Sequence, residues 1–169
     1  MTFISSDTNV WIDFATIDKL HFPFLLPYTF LISESALQDE FLAPPGLRGS
    51  LITSGLVPTE LSEDEIFLTM QYAKHLKLST YDRMALAIVK SRNIPLLTGD
   101  KALRNATAME CVRVIGTLGI LDQLYDKSYI SDNEYQLALE RLKAENGKAV
   151  RLPSSEVEKC LKSILVYTE

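Results

Sequence analysis

The chain has 169 residues, 47% of them hydrophobic, with a formal net charge of −5 and only two cysteines. That suits one sizeable core with or without an appendage, and it excludes a disulfide framework; Cys111 and Cys160 stand far apart, lack zinc-ligand neighbours and are expected to be small buried residues. No apolar run approaches a membrane span and no basic leader opens the chain, so the expected location is cytoplasmic.

In chain order, Thr2 to Ser6 reads as a short buried strand ended by Asp7. DTNVWIDFATIDKL continues as a helix, with Val10, Phe14 and Ile17 near helical spacing. Thr29 to Ser33 is the second strand, and Ser33 or Ser35 caps a helix through ALQDEFL that APPG (43–46) stops. SGLVPTEL holds a third strand or extended segment. Ser62 with Glu65 then forms a capping box before a helix whose apolar stripe is Ile66, Met70 and Ala73. Ser79 with Asp82 opens the next helix, apolar nearly all round through MALAIV and therefore buried. PLLT is the fourth strand, with Gly99 and Asp100 at its tip; Lys101 to Ala106 is a short helix, Val112 to Ile115 a fifth strand, and a helix begins at about Thr117.

Strands alternating with helices predict an α/β fold: a three-layer α/β/α sandwich around a parallel sheet of about five strands. After Asp126 the pattern becomes purely helical. Ser131 with Glu134 opens a helix with the stripe Tyr135, Leu139 and Leu142, closed by Gly147, and a last helix carries Val157, Cys160, Leu161, Ile164 and Leu165. The expected organisation is a domain over 1–126 and a C-terminal helical appendage over 127–169, whose stripes are free to pack on their own domain, a second copy or a partner protein.

Four stretches place acids where a hydrolytic metal site would want them: Asp7, Asp39–Glu40, Asp82 and Asp100. Asp7 and Asp100 directly follow strands, at the carboxyl-end mouth where such sheets keep ligands. Asp82 lies in the first turn of a helix, where the dipole favours its charge. Converging carboxylates repel unless a cation neutralises them, and hard oxygen donors select Mg²⁺ or Mn²⁺. Such an ion activates water and stabilises charge building on a phosphate oxygen. Any one of these acids taken alone could equally be a helix cap or an exposed charge. The residues from Arg83 to Arg113 carry +4, leaving −9 for the remainder, a local basic field suited to a polyanion. Lys101 and Arg104 stand beside Asp100 as candidate phosphate contacts. Trp11 is expected to pack in the core rather than stack on a base, Asp13 and Asp18 to be surface charges, and His21 and His75 to be structural.

ISSDTNVWIDF and STYDRMALAIVKSRNIPLLTGDKALR together resemble the PIN-domain ribonucleases over residues 2 to about 122. GTLGILDQLY and the helical tail are similar to a toxin-like PIN subgroup with extra C-terminal helices. The resemblance implies a metal-dependent endoribonuclease acting on RNA, of the kind that serves as the toxin of a toxin–antitoxin pair. It implies Asp7, Asp82 and Asp100 as metal ligands or water activators, Thr8, Asn9 and Thr98 as polar supports, and an antitoxin protein and a homodimer as partners. The family's second acid falls on ALQDEF, where Glu40 matches by residue type and Asp39 stands about 100° away around the helix; Glu34 falls too close to the strand end.

Two rivals stand beside this reading. A haloacid-dehalogenase-like phosphatase also opens on a strand-end Asp, but it needs a second acid two positions later, where Asn9 cannot exchange a proton. A catalytically silent binding module of the same fold would act through its surface or its tail.

Overall fold

A computed structural model describes residues 2–41 and 44–166, with side chains as far as Ile164. Ala43 of the expected helix stop and the side chain of Leu165 lie outside the described residues. The chain divides into two compact units. Residues 1–10 with 27–116 form the first, and residues 11–26 with 117–169 form the second; the expected boundary at 126–127 lies inside the second.

The first unit is built on five strands: β1 (Thr2–Ser6), β2 (Tyr28–Ser33), β3 (Val57–Thr59), β4 (Leu96–Leu97) and β5 (Val114–Ile115). All pair in parallel, in the order β3-β2-β1-β4-β5. The register sets Ser5 against Leu31 on one side and against Leu96 on the other. The chain thus grows from β1 toward β3 and then returns to add β4 on the opposite flank of β1. That reversal makes the carboxyl ends of β1 and β4 the topological switch point of the sheet, the place where open parallel sheets accept ligands.

Helix α1 (Thr8–Thr16) starts at that end of β1. Helix α2 (Glu34–Asp39) follows β2, with the Ser33 hydroxyl accepting from the Ala36 amide as its cap. A helix that the sequence pattern conceals comes next, α3 (Leu47–Ser54), entered and left through glycines at φ +85° and +118°. Its internal Gly49 and its Ile-Thr pair are poor helix formers, and only Leu47 and Leu51 are buried to hold it.

Helix α4 (Glu63–Gln71) keeps the Ser62–Glu65 capping box, but its expected buried stripe is wrong. Ile66, Met70 and Ala73 are exposed, while Glu65, Thr69 and the following Tyr72 are buried. The cause is charge pairing. The Arg92 guanidinium donates to Glu65 Oε1 at 2.6 Å and Oε2 at 2.9 Å, to Thr59 and to the Glu60 carbonyl. This fork holds the Glu65 carboxyl below its usual pKa despite burial and turns that flank of α4 inward.

Helix α5 (Thr80–Arg92) carries the second capping box, Ser79 with Asp82. Ala85, Leu86, Ala87, Ile88 and Val89 are buried as expected, and the helix packs on β1, β2 and β4. Each large side chain so buried contributes about 1.5–3 kcal/mol. Helix α6 (Lys101–Met109) runs three residues beyond its expected end. Past it, Cys111 is exposed at φ +57°, contrary to expectation, because the turn into β5 points it outward.

The second unit holds the later part of α1, a 3₁₀ turn at Phe22–Leu25, and the helices α7 (Thr117–Asp126), α8 (Asp132–Glu145) and α9 (Ser154–Val166). Trp11 is fully buried and stacks on Phe24 at 5.1 Å. Asp13 is not a surface charge: it is buried and accepts from the Thr117 hydroxyl at 2.6 Å. Tyr135, Leu139 and Leu142 of α8 and Val157 and Ile164 of α9 are buried, and the two helices pack on each other. Cys160 and Leu161 of the same α9 stripe are half-buried. No described helix is long and apolar enough to cross a membrane.

Candidate functional site

Asp7 is the first residue past β1, and its amide donates to the Leu97 carbonyl, which draws the ends of β1 and β4 together. Its side chain is buried. Oδ1 accepts from the Thr8 amide at 2.6 Å and more loosely from the Thr8 hydroxyl at 3.4 Å, and Oδ2 accepts from the Thr98 hydroxyl at 2.9 Å. The same Thr98 oxygen accepts from the Asp100 amide, and Asn9 Oδ1 accepts from the Gly99 amide at 3.1 Å. The turn after β4 is thus tied to the start of α1 by two side chains, Thr98 and Asn9.

Burial pushes the Asp7 carboxyl up to about 7, helped by the nearby charges of Asp82 and Glu40 and opposed by the Thr98 and Thr8 hydrogen bonds. Glu40, the residue that caps the C-terminus of α2, is also raised. Burial is the main cause, eased by the Thr8 hydroxyl and reinforced by Asp82 and Asp39. Asp82 sits at the third position of α5, where Oδ2 accepts from the Ser79 amide at 2.7 Å to complete the capping box.

The structure therefore brings Asp7, Glu40 and Asp82 within electrostatic reach of one another. Asp100 is joined to them through Thr98 but is not among the charges that raise Asp7; its Oδ1 accepts from the Leu103 amide and caps α6. Asp39 and Glu40 have separate surroundings. Asp39 is exposed and accepts from the Tyr81 hydroxyl at 2.6 Å, whereas Glu40 is half-buried in the acidic group. Glu34 is exposed at the first turn of α2.

Two observations suit a hard divalent cation. Three carboxylates repel where Asp7 and Glu40 are partly desolvated, and Glu40 Oε2 is buried with no hydrogen-bond partner among the described residues. The acids stand at repulsion range rather than ligand range, and no group of three His, Cys, Asp or Glu side chains among the described residues converges tightly enough to hold an ion by itself. Mg²⁺ tolerates such an arrangement, because it keeps several waters and takes only one or two carboxylates directly.

Of the expected basic field, part is committed elsewhere. Arg92 is bound to Glu65, and Lys90 donates to the Glu110 carbonyl. Lys101 and Arg104 remain at the mouth, both exposed. Arg104 Nη1 lies 3.5 Å from the Thr98 carbonyl. Gly116 makes room for it: a Cβ there would stand 2.9 Å from Arg104 Nη1. Gly116 and Tyr81 are the neighbours that sequence reasoning missed. Only their position beside the motifs, Tyr81 before Asp82 and Gly116 before Thr117, marked them.

A family model described as DUF3368: PIN domain matches residues 3–165. No curated protein and no solved structure matches the chain.

Proposed function

Since the chain belongs to the PIN-domain family DUF3368, we propose that it is a Mg²⁺- or Mn²⁺-dependent endoribonuclease. The observation that carries this reading is Asp7, buried among like charges with its pKa raised to about 7, within electrostatic reach of a Glu40 whose Oε2 has no partner among the described residues. A carboxylate fixed by hydrogen bonds yet held dry among like charges is well prepared for a cation.

Asp7, Asp82 and Glu40 would hold the ion directly or through its waters, and Asp100 would join from the β4 turn. The bound cation supplies Lewis acidity and lowers the pKa of a coordinated water. Thr98 and the Thr8 amide fix the Asp7 carboxylate, and Asn9 fixes the Gly99 turn, so that the donors are oriented before substrate arrives. Lys101 and Arg104 would meet the RNA phosphates flanking the scissile bond. In-line attack by water leaves a 5′-phosphate and a 3′-hydroxyl.

Asn9 is a hydrogen-bond acceptor for the Gly99 amide and not a proton donor, which argues against the phosphatase alternative. The finer biological reading is a cytoplasmic toxin held in check by an antitoxin protein. The test is cleavage of a single-stranded RNA with Mn²⁺, together with growth arrest on expression. Both should vanish in Asp7→Asn with an unchanged circular dichroism spectrum. RNA binding without cleavage in the unsubstituted protein would leave a silent binding module.

A further inference from the structure

Two of the three repelling acids stand on helices whose main packing lies elsewhere. Helix α2 packs mainly on β2 and β3, and α5 mainly on α4 and the sheet. Glu40 caps the end of α2, Asp82 lies in the first turn of α5, and the charge of one bears on the other. Asp82 is steadied by its own capping box. Glu40 is eased by the Thr8 hydroxyl, but it stands at the carbonyl end of a six-residue helix with no basic residue in its last turn. The helix dipole repels an acid there.

The two helix ends are joined by the residues just before these acids. Asp39, the last residue of α2, accepts from the Tyr81 hydroxyl of α5 at 2.6 Å, across 42 positions of sequence. A hydroxyl donating to a carboxylate at that distance makes a charge-assisted bond, stronger than a neutral one. Asp39 precedes Glu40 and Tyr81 precedes Asp82, so each end of the bond is covalently next to one of the repelling acids. The bond uses no oxygen of Glu40 or Asp82 and leaves them to the ion.

We propose that the Tyr81–Asp39 hydrogen bond is a clasp that holds the end of α2 against the start of α5, so that Glu40 and Asp82 stay within reach of one divalent cation despite their repulsion. Tyr81 is a positioning residue, acting through Asp39. The proposal rests on reading the acid group as a cation site and adds how that site is kept assembled. Without the ion the clasp works against like charges; with the acids already gathered, ion binding need not supply the work of drawing them together.

The test is Mn²⁺ binding by the full chain, read by calorimetry and by the rise in melting temperature that Mn²⁺ produces, with RNA cleavage alongside. Tyr81→Phe keeps the ring and the net charge and removes one hydroxyl. Its metal-free melting temperature should stay close to that of the original chain, because an exposed bond exchanges with water. Its Mn²⁺ affinity should fall about fivefold, short of the roughly tenfold or more lost with a partner bonded directly to a ligand. Cleavage should need about fivefold more Mn²⁺, while kcat at saturating Mn²⁺ and KM for RNA stay within about twofold. Asp39→Ala removes the acceptor and a charge near Glu40, so it should weaken binding at least as much. Adding Tyr81→Phe to it should change nothing further, because the bond is already gone.

An original chain that binds no Mn²⁺ overturns the cation-site reading and the clasp with it. Mn²⁺ binding that Tyr81→Phe leaves unchanged overturns the clasp alone. So does a Tyr81→Phe loss that persists in full in the Asp39→Ala chain, which would put the hydroxyl itself on the ion or its waters. A metal-free melting temperature that falls as far as the Mn²⁺-bound one would make the bond a structural tie with no bearing on the ion, and overturns the clasp as well.

Discussion

Two buried aspartates lie six positions apart, and they differ in what surrounds them. Asp7 and Asp13 each accept a threonine hydroxyl from a distant part of the sequence, Thr98 at 2.9 Å and Thr117 at 2.6 Å. Burial raises both. Asp13, with no like charge among the causes, rises to about 6; Asp7, pressed also by Asp82 and Glu40, rises to about 7. Burial is the first-named cause at both, so a raised carboxyl by itself marks only a dry place. The repulsion, together with the unpartnered Glu40 oxygen, separates a cation site from a structural hydrogen bond.

The sharpest way to break this contrast is to neutralise each in turn. Asp7→Asn keeps one acceptor, for the Thr98 hydroxyl or the Thr8 amide but not both, and removes a charge that the fold holds at a cost. RNA cleavage should fall by about three orders of magnitude, the equivalent of several kcal/mol of transition-state stabilisation, while the melting temperature stays level or rises. Asp13→Asn should leave the cleavage rate within about threefold of the original chain. Equal losses from both would mean that the two sites are not of different kinds.

The next largest effect concerns stability against pH. The Asp13 carboxyl is raised from 3.8 to about 6, so the native state binds its proton more tightly than the unfolded chain. Its contribution is complete below about pH 4 and is lost as pH rises through 6, with a ceiling of about 3 kcal/mol. Urea unfolding of Asp13→Asn and the original chain should therefore diverge between pH 4 and 6, the variant gaining relative stability as pH rises. Parallel curves would show that the Thr117 hydrogen bond compensates the burial in full.

Asp13 also shows where the sequence was silent. Both Asp7 and Asp13 are single acids in an apolar run, and only Asp7 was marked, by its place after a strand. The partner that buries Asp13 lies 104 positions away, and no local pattern announces it. The parallel sheet was legible because its strands are short apolar runs separated by capped helices; the capping boxes at Ser62, Ser79 and Ser131 all form as expected. The facing of α4 was not. Ile66 and Met70 satisfy helical periodicity, yet Arg92, from a different helix, pulls Glu65 inside and reverses the outcome. Helix α3 was hidden because Gly49 and β-branched residues weaken its pattern. Within the site, residue type favoured Glu40 over Asp39, and a hydrogen bond from Tyr81 to Asp39 accounts for their different surroundings.

A third measurement sharpens the difference through the cation itself. If Asp7 carries a proton near neutrality, binding Mg²⁺ or Mn²⁺ must release it. Calorimetry in buffers of different ionisation enthalpy should report about half a proton displaced per site at pH 7 and close to one at about pH 6, and apparent affinity should fall about tenfold for each further pH unit below that. Asp13→Asn should leave the proton count unchanged, while Asp7→Asn should abolish it. Release that persists without Asp7 would move the titrating group to Glu40.

The smallest expected effect separates holding the ion from holding the RNA. Gly116→Ala would place a Cβ 2.9 Å from Arg104 Nη1, and that atom is the free end of a long side chain, so the guanidinium moves rather than the backbone. The acid group on β1, α2 and α5 stays as it is. KM for RNA should rise about fivefold with kcat little changed, the signature of lost binding that is equal in ground and transition states. Arg104→Ala should give the same rise, and the pair together should be no worse than either, because the two substitutions remove one contact. A fall in kcat instead would mean that Arg104 acts on Asp7 through the Thr98 carbonyl it approaches at 3.5 Å, and would make it a positioning residue for the acids rather than a contact for the substrate.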